Sequence, residues 1–95
     1  MYLISRTKDF ERSYKRLKVS GRLKSKAKAN LAEVIDILAA GRRLSPEYRD
    51  HQLSGELKRY RECHVKGDLL LVYQIRKEEL LLVLVDIGTH SYLGF

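Results

Sequence analysis

Residues Tyr48–Tyr73 read YRDHQLSGELKRYRECHVKGDLLLVY, and the change of pattern inside them decides the fold. Before this stretch the apolar residues recur at helical spacing, and from Leu57 onward they follow strands. Leu57–Val65 alternates imperfectly, with Tyr60 and His64 on one face and Arg59, Arg61 and Cys63 on the other. Lys66-Gly67-Asp68 is a turn signal of the hairpin type. Asp68–Ile75 and Leu80–Ile87 are then the strongest predicted strands, joined across Arg76–Glu79. Both carry Leu and Val on both faces, which predicts a central place in a sheet with helices on one side. The same stretch concentrates His51, His64, Asp50, Lys58, Arg59, Arg61, Lys66 and Asp68 at the entrance to that sheet.

Upstream, Tyr2, Leu3 and Ile4 predict a short strand within Met1–Arg6. Thr7 suits a helix N-cap, and Asp9 and Glu11 follow in the first turn, where carboxylates favour the helix dipole. Phe10, Tyr14 and Leu17 give this first helix its apolar face, Arg12, Lys15, Arg16 and Lys18 its polar one, and Ser20-Gly21 ends it. A second helix is predicted from Leu23 to Ala40, with Leu23, Ala27, Leu31, Val34, Ile35 and Leu38 as its stripe. Lys24, Lys26 and Lys28 crowd its first half, against the dipole, at ~0.3 kcal/mol each. Gly41 takes the position after its end. Gly41–Glu56 reads as a loop holding Pro46 and His51. The order strand, helix, helix, three strands predicts one α+β domain over residues 1–95. It would be a small, mainly antiparallel sheet with an N-terminal helical hairpin packed on one face.

The composition narrows the function. Nineteen Lys and Arg against twelve Asp and Glu leave a formal charge of +7, which favours a polyanionic partner, nucleic acid before an acidic protein or a membrane surface. A single cysteine, Cys63, allows neither a disulfide framework nor a thiol metal site within one chain. The longest apolar run, Leu80–Val85, is far short of the roughly 20 residues a membrane helix needs. The N-terminus lacks a signal-peptide pattern. A cytoplasmic protein with no membrane role is therefore expected. His51, His64 and His90 lie on three separate segments, and imidazoles so placed serve either a metal or proton transfer. No paired-ligand spacing such as HExxH is present, so neither a metal nor another cofactor is expected.

Four segments carry a resemblance: Tyr48-Arg49-Asp50-His51-Gln52-Leu53, Tyr60-Arg61-Glu62-Cys63-His64-Val65, Asp68-Leu69-Leu70-Leu71-Val72-Tyr73 and Gly88-Thr89-His90. In this order they resemble the YafQ-like branch of the RelE/ParE toxin superfamily. The resemblance implies a RelE-like fold and the toxin of a type II toxin–antitoxin pair, a ribosome-dependent endoribonuclease that cuts mRNA in the A site. The RNA's own 2′-hydroxyl would attack the adjacent phosphorus and leave a 2′,3′-cyclic phosphate. That reaction needs a base, an acid and cations for the phosphorane charge, without a metal. His51, His64, Asp68 and His90 match the family's catalytic positions. His90 would be the acid and Asp68 or His51 the base, with His64 orienting the phosphate. Tyr92 or Phe95 would stack on a base, and Arg61 could supply a cation, or its β alternation could equally point it to a structural role.

Two departures stand out. Asp86 occupies a position where such toxins commonly carry an arginine that stabilises the transition state, so either activity is weakened or Lys66 or Arg76 substitutes. Leu69 replaces an aromatic found in some members. The implied partners are an acidic, partly disordered RelB/DinJ-like antitoxin, the ribosome with its mRNA, and operator DNA reached through the antitoxin. The alternatives are a ParE-like gyrase-inhibiting toxin, or a catalytically weakened homologue that mainly binds its antitoxin. Convergence of His51, His64 and His90 on one anion-sized pocket is the geometry that separates these readings.

Overall fold

Two helices, α1 (Lys8–Val19) and α2 (Ser25–Ala39), follow a short first strand, β1 (Leu3–Arg6), in a computed structural model that describes residues 1–94. Thr7 caps α1 as its sequence predicts, its Oγ1 accepting the Phe10 N–H at 3.0 Å. Both helices close on a left-handed glycine, Gly21 and Gly41. In each case the next residue's N–H reaches back to satisfy a carbonyl of the last turn: Arg22 to Leu17, and Arg42 to Ile37. α2 starts two residues later than its apolar stripe predicts. Lys24 at its N-cap makes no side-chain cap, and Leu23 is buried just ahead of the helix.

The chain then builds β2 (His51–Gln52), β3 (Arg61–Lys66), β4 (Leu69–Arg76), β5 (Leu81–Gly88) and a last helical turn, α3 (His90–Leu93). The sheet order is β1-β5-β4-β3-β2. Pairings among β2 to β5 are antiparallel, and β1 runs parallel to β5 from Leu3↔Leu81 to Arg6↔Leu84. The sheet is thus mixed, because the helical hairpin returns the chain to the far edge. The segment before β3, expected as strand from Leu57, instead turns in a 3-10 helix over Gly55–Leu57. His51, expected in a loop, enters the sheet as its outermost strand.

The core lies between the helical layer and one face of the sheet. Phe10, Leu17, Leu31, Val34 and Leu38 from the helices meet Cys63, Leu71, Tyr73, Leu82, Leu84 and Ile87 from the strands. Burial pushes the Cys63 thiol up to about 12, so it is protonated and unreactive at neutral pH. Two irregularities interrupt the ladders, one at the end of β3 and one midway along β5. Val65 is the extra residue between His64↔Leu70 and Lys66↔Leu69, and Val85 between Val72↔Asp86 and Tyr73↔Leu84. Such bulges twist a strand and re-aim its side chains. Among the described residues no helix is long and apolar enough to cross a membrane.

Candidate active site

β3 and β5 both run against β4, so the ends of β3 and β5 lie beside the start of β4. Topology therefore gathers Lys66, the Gly67-Asp68 turn and the Gly88-Thr89-His90 segment at one end of the sheet. A groove of about 580 Å³ opens there, lined by His64, Lys66, Asp68 and His90 together with Asn30, Glu47, Tyr48 and Arg49. The His64 and His90 rings approach edge to face, with centroids 5.7 Å apart. Asn30 of α2 donates to the Val65 carbonyl at 3.2 Å, tying the bulge of β3 to the helical layer. One wall is Arg49, which holds a left-handed backbone at φ 49° and ψ 42°. A non-glycine residue there carries strain of about 1 kcal/mol and marks a position that its surroundings enforce.

His51 stands apart from this lining. It pairs in register with Glu62, which shares a face of β3 with His64, so it lies one strand period, roughly 7 Å, further along. Its Nδ1 is 2.8 Å from the Arg49 carbonyl oxygen, which can only accept, so Nδ1 carries the proton. Its Nε2 lies 3.4 Å from Oε1 of Glu62, a carboxylate only 2% exposed. The expected convergence of all three histidines is therefore not met: His64 and His90 meet in the groove, and His51 sits on a buried acid beside it.

The expected cations divide differently from their sequence reading. Lys66 is at the groove. Arg61 is on the opposite, helix-side face of β3, where its Nη2 donates to Asp50 at 3.1 Å; this hydrogen bond is the first cause raising its pKa. The Tyr73 hydroxyl donates to the same Asp50 carboxylate. Arg76 ends β4, about 23 Å of strand away from Leu69, and pairs with Glu79 at 2.5 Å. It therefore cannot replace an arginine at position 86. Tyr92 turns away from the histidines toward α1, and Phe95 lies outside the described residues. The cation at the groove that the sequence reading passed over is Arg49; it stood in view between Tyr48 and Asp50, but nothing in the sequence announces its left-handed turn.

Asp86 shows where the Val85 bulge aims its side chain. Oδ1 accepts the Ser13 hydroxyl at 2.6 Å and the Ile87 N–H at 2.8 Å. The carboxylate is directed at α1, and it is not among the residues that line the groove.

A helical hairpin covers one face of a five-stranded mixed sheet, the fold of RelE-like toxins, and in this chain a histidine groove lies where β3 and β5 end. Residues 2–94 match the family model described as a bacterial toxin of type II toxin–antitoxin system, YafQ, and the chain belongs to that family. Over 46 residues it is 41% identical to the mRNA interferase toxin YafQ of Escherichia coli K12, a match covering 48% of each chain. The matched segments span about half or less of the curated relatives' lengths. A metal-bound toxin from Helicobacter pylori is 45% identical, with TM-score 0.82 over 98% of this chain and 99% of that one. The match to the E. coli DinJ–YafQ complex is 28% identical, with TM-score 0.82 over 98% of both chains.

Proposed function

We propose that this chain is a ribosome-dependent endoribonuclease that cleaves mRNA by attack of the 2′-hydroxyl on its own 3′-phosphate. The observation that carries the reading is the meeting of His64, Asp68 and His90, from three different segments, in one groove rimmed by Lys66 and Arg49. In-line displacement at phosphorus needs a base near the 2′-oxygen and an acid near the departing 5′-oxygen. It also needs cations for the charge that develops between them. His90 takes the role of acid. Asp68 takes the role of base in preference to His51, whose two ring nitrogens are engaged by the Arg49 carbonyl and Glu62. His64 braces His90 edge to face, and Lys66 and Arg49 face the phosphate. Asp68 accepts the proton of the 2′-hydroxyl, the P–O2′ bond forms to close the cyclic phosphate as the P–O5′ bond breaks, and His90 gives its proton to the departing 5′-oxygen.

Asp86 does not oppose this chemistry in the way its charge suggests, because two donors from α1 and β5 hold its carboxylate away from the groove. That orientation favours an active toxin over an inert, antitoxin-binding homologue. The partners proposed are an acidic antitoxin segment that folds over the basic surface, the ribosome with its mRNA, and operator DNA through the antitoxin. These place the protein in the cytoplasm.

The chemistry is tested by analysing the ends produced on ribosome-bound mRNA. A 2′,3′-cyclic phosphate and a 5′-hydroxyl are expected. Ends bearing a 3′-hydroxyl and a 5′-phosphate would mean that water or another nucleophile attacks, and would overturn the mechanism.

A further inference from the structure

Among the described residues the His90 side chain makes no hydrogen bond of its own, and its one ring contact is the edge-to-face approach to His64. His90 is exposed, it opens a helix of only four residues, and such a turn is not stable alone. Its place therefore depends on how α3 is held, and that hold is on the other side of the helix. Tyr92 follows His90 by two residues, a rotation of roughly 200°, so the two side chains leave opposite sides of the turn. The Tyr92 ring lies over Gly88 so closely that a Cβ there would meet it at 2.6 Å. The Arg16 guanidinium stands 5.0 Å from its centroid. Its hydroxyl lies 3.0 Å from Ser13 Oγ.

The direction of this last bond is fixed by Asp86. A hydroxyl has one proton, and Ser13 commits it to the Asp86 carboxylate at 2.6 Å. Tyr92 must then be the donor to Ser13. The chain runs Tyr92 O–H to Ser13 O–H to Asp86, and Asp86 is itself fixed by the Ile87 N–H.

We propose that Asp86, Ser13 and Tyr92 form a positioning relay that clamps α3 against α1 and so sets His90 against His64. Asp86 then acts through His90, as a positioning residue. The proposal rests on the endoribonuclease reading for its kinetic consequence, and on geometry alone for its structural one.

The test uses the full chain in four variants. Tyr92→Phe keeps the ring over Gly88 and removes only the hydroxyl. Ser13→Ala removes the link, Asp86→Ala the terminus, and Asp86→Asn keeps an oxygen that can accept both donors. Two readouts are taken: the cross-relaxation between the His64 and His90 ring protons by NMR, and kcat and KM on ribosome-bound mRNA. Tyr92→Phe, Ser13→Ala and Asp86→Ala should each weaken the ring contact and lower kcat about five- to tenfold, the scale of one hydrogen bond. KM should stay within about twofold, because a misplaced acid affects the transition state more than binding. Asp86→Asn should restore both readouts. Unchanged ring contact and kcat in Tyr92→Phe and Ser13→Ala would overturn the relay. If the wild type cuts no RNA while the variants lose the ring contact, the relay stands and the nuclease reading falls.

Discussion

Replacing Asp50 by alanine should be among the most damaging single changes to the part of the fold that carries the groove. Its carboxylate accepts the Tyr73 hydroxyl and the Arg61 guanidinium, with Nη2 at 3.1 Å and Nε at 3.4 Å. Tyr73 is 1% exposed, so its hydroxyl has no water to turn to. A hydrogen bond to a charged acceptor, with the cost of orphaning the donor, is worth about 2 kcal/mol. The Arg61 pair is partly open to solvent, at 39% and 24% exposure of the two side chains, so it adds only about 1 kcal/mol. The sum of about 3 kcal/mol corresponds to a fall in Tm of roughly 12–24 °C for a domain of this size. Tyr73→Phe should cost about 2 kcal/mol, because it removes only the first bond. In urea unfolding the double variant should match Asp50→Ala alone, a coupling of about 2 kcal/mol, since both changes delete one shared interaction. Costs that simply add, or an Asp50→Ala loss below about 1 kcal/mol, would refute the assignment of this cluster as the anchor of the 49–52 segment.

Three other outcomes follow from the same coordinates. Burial raises the Cys63 thiol from 9.0 to about 12, and burial together with the Asp50 hydrogen bond raises the Tyr73 phenol. Both groups hold their protons more tightly when folded, so unfolding free energy should be level below about pH 9 and fall between about pH 9 and 12, with Cys63→Ala delaying the onset toward pH 10. Glu62 is buried, and its Oε2 has no hydrogen-bond partner among the described residues. Glu62→Leu should therefore raise the unfolding free energy by about 1 kcal/mol or more, read as a higher urea midpoint, while releasing His51. Arg49→Gly should leave stability unchanged or raise it by up to about 1 kcal/mol, because glycine accepts the left-handed turn without strain. The same change should weaken RNA binding and flatten its salt dependence, measured by titration at several ionic strengths.

The parts of the fold legible in the sequence were those that local pattern controls. Thr7 and the glycines after each helix mark ends set by nearby hydrogen bonds, and the Leu and Val runs of β4 and β5 mark strands in the interior of the sheet. Pairing of β1 with β5 joins residues about eighty positions apart, and nothing in LISR announces a parallel partner. The groove divided in the same way. His64, Asp68 and His90 were singled out by the resemblance to YafQ-like toxins, and strand direction carries them to one end of the sheet. Arg61 stayed open between cation and structural residue because alternation fixes which residues share a face, but not which face meets the helices. The Val85 bulge was equally invisible, and it converts Asp86 from an apparent charge conflict into a partner of Ser13. Arg76 illustrates the reverse error, where nearness to a strand says nothing about which end of it a side chain occupies.

The most direct test of the central claim maps 5′ ends of a defined mRNA after incubation with ribosomes and the purified protein, comparing wild type with His90→Ala. The wild type should cut inside the A-site codon, and His90→Ala should not. Absence of cutting by the wild type, or cutting that persists unchanged in His90→Ala, would overturn the endoribonuclease reading.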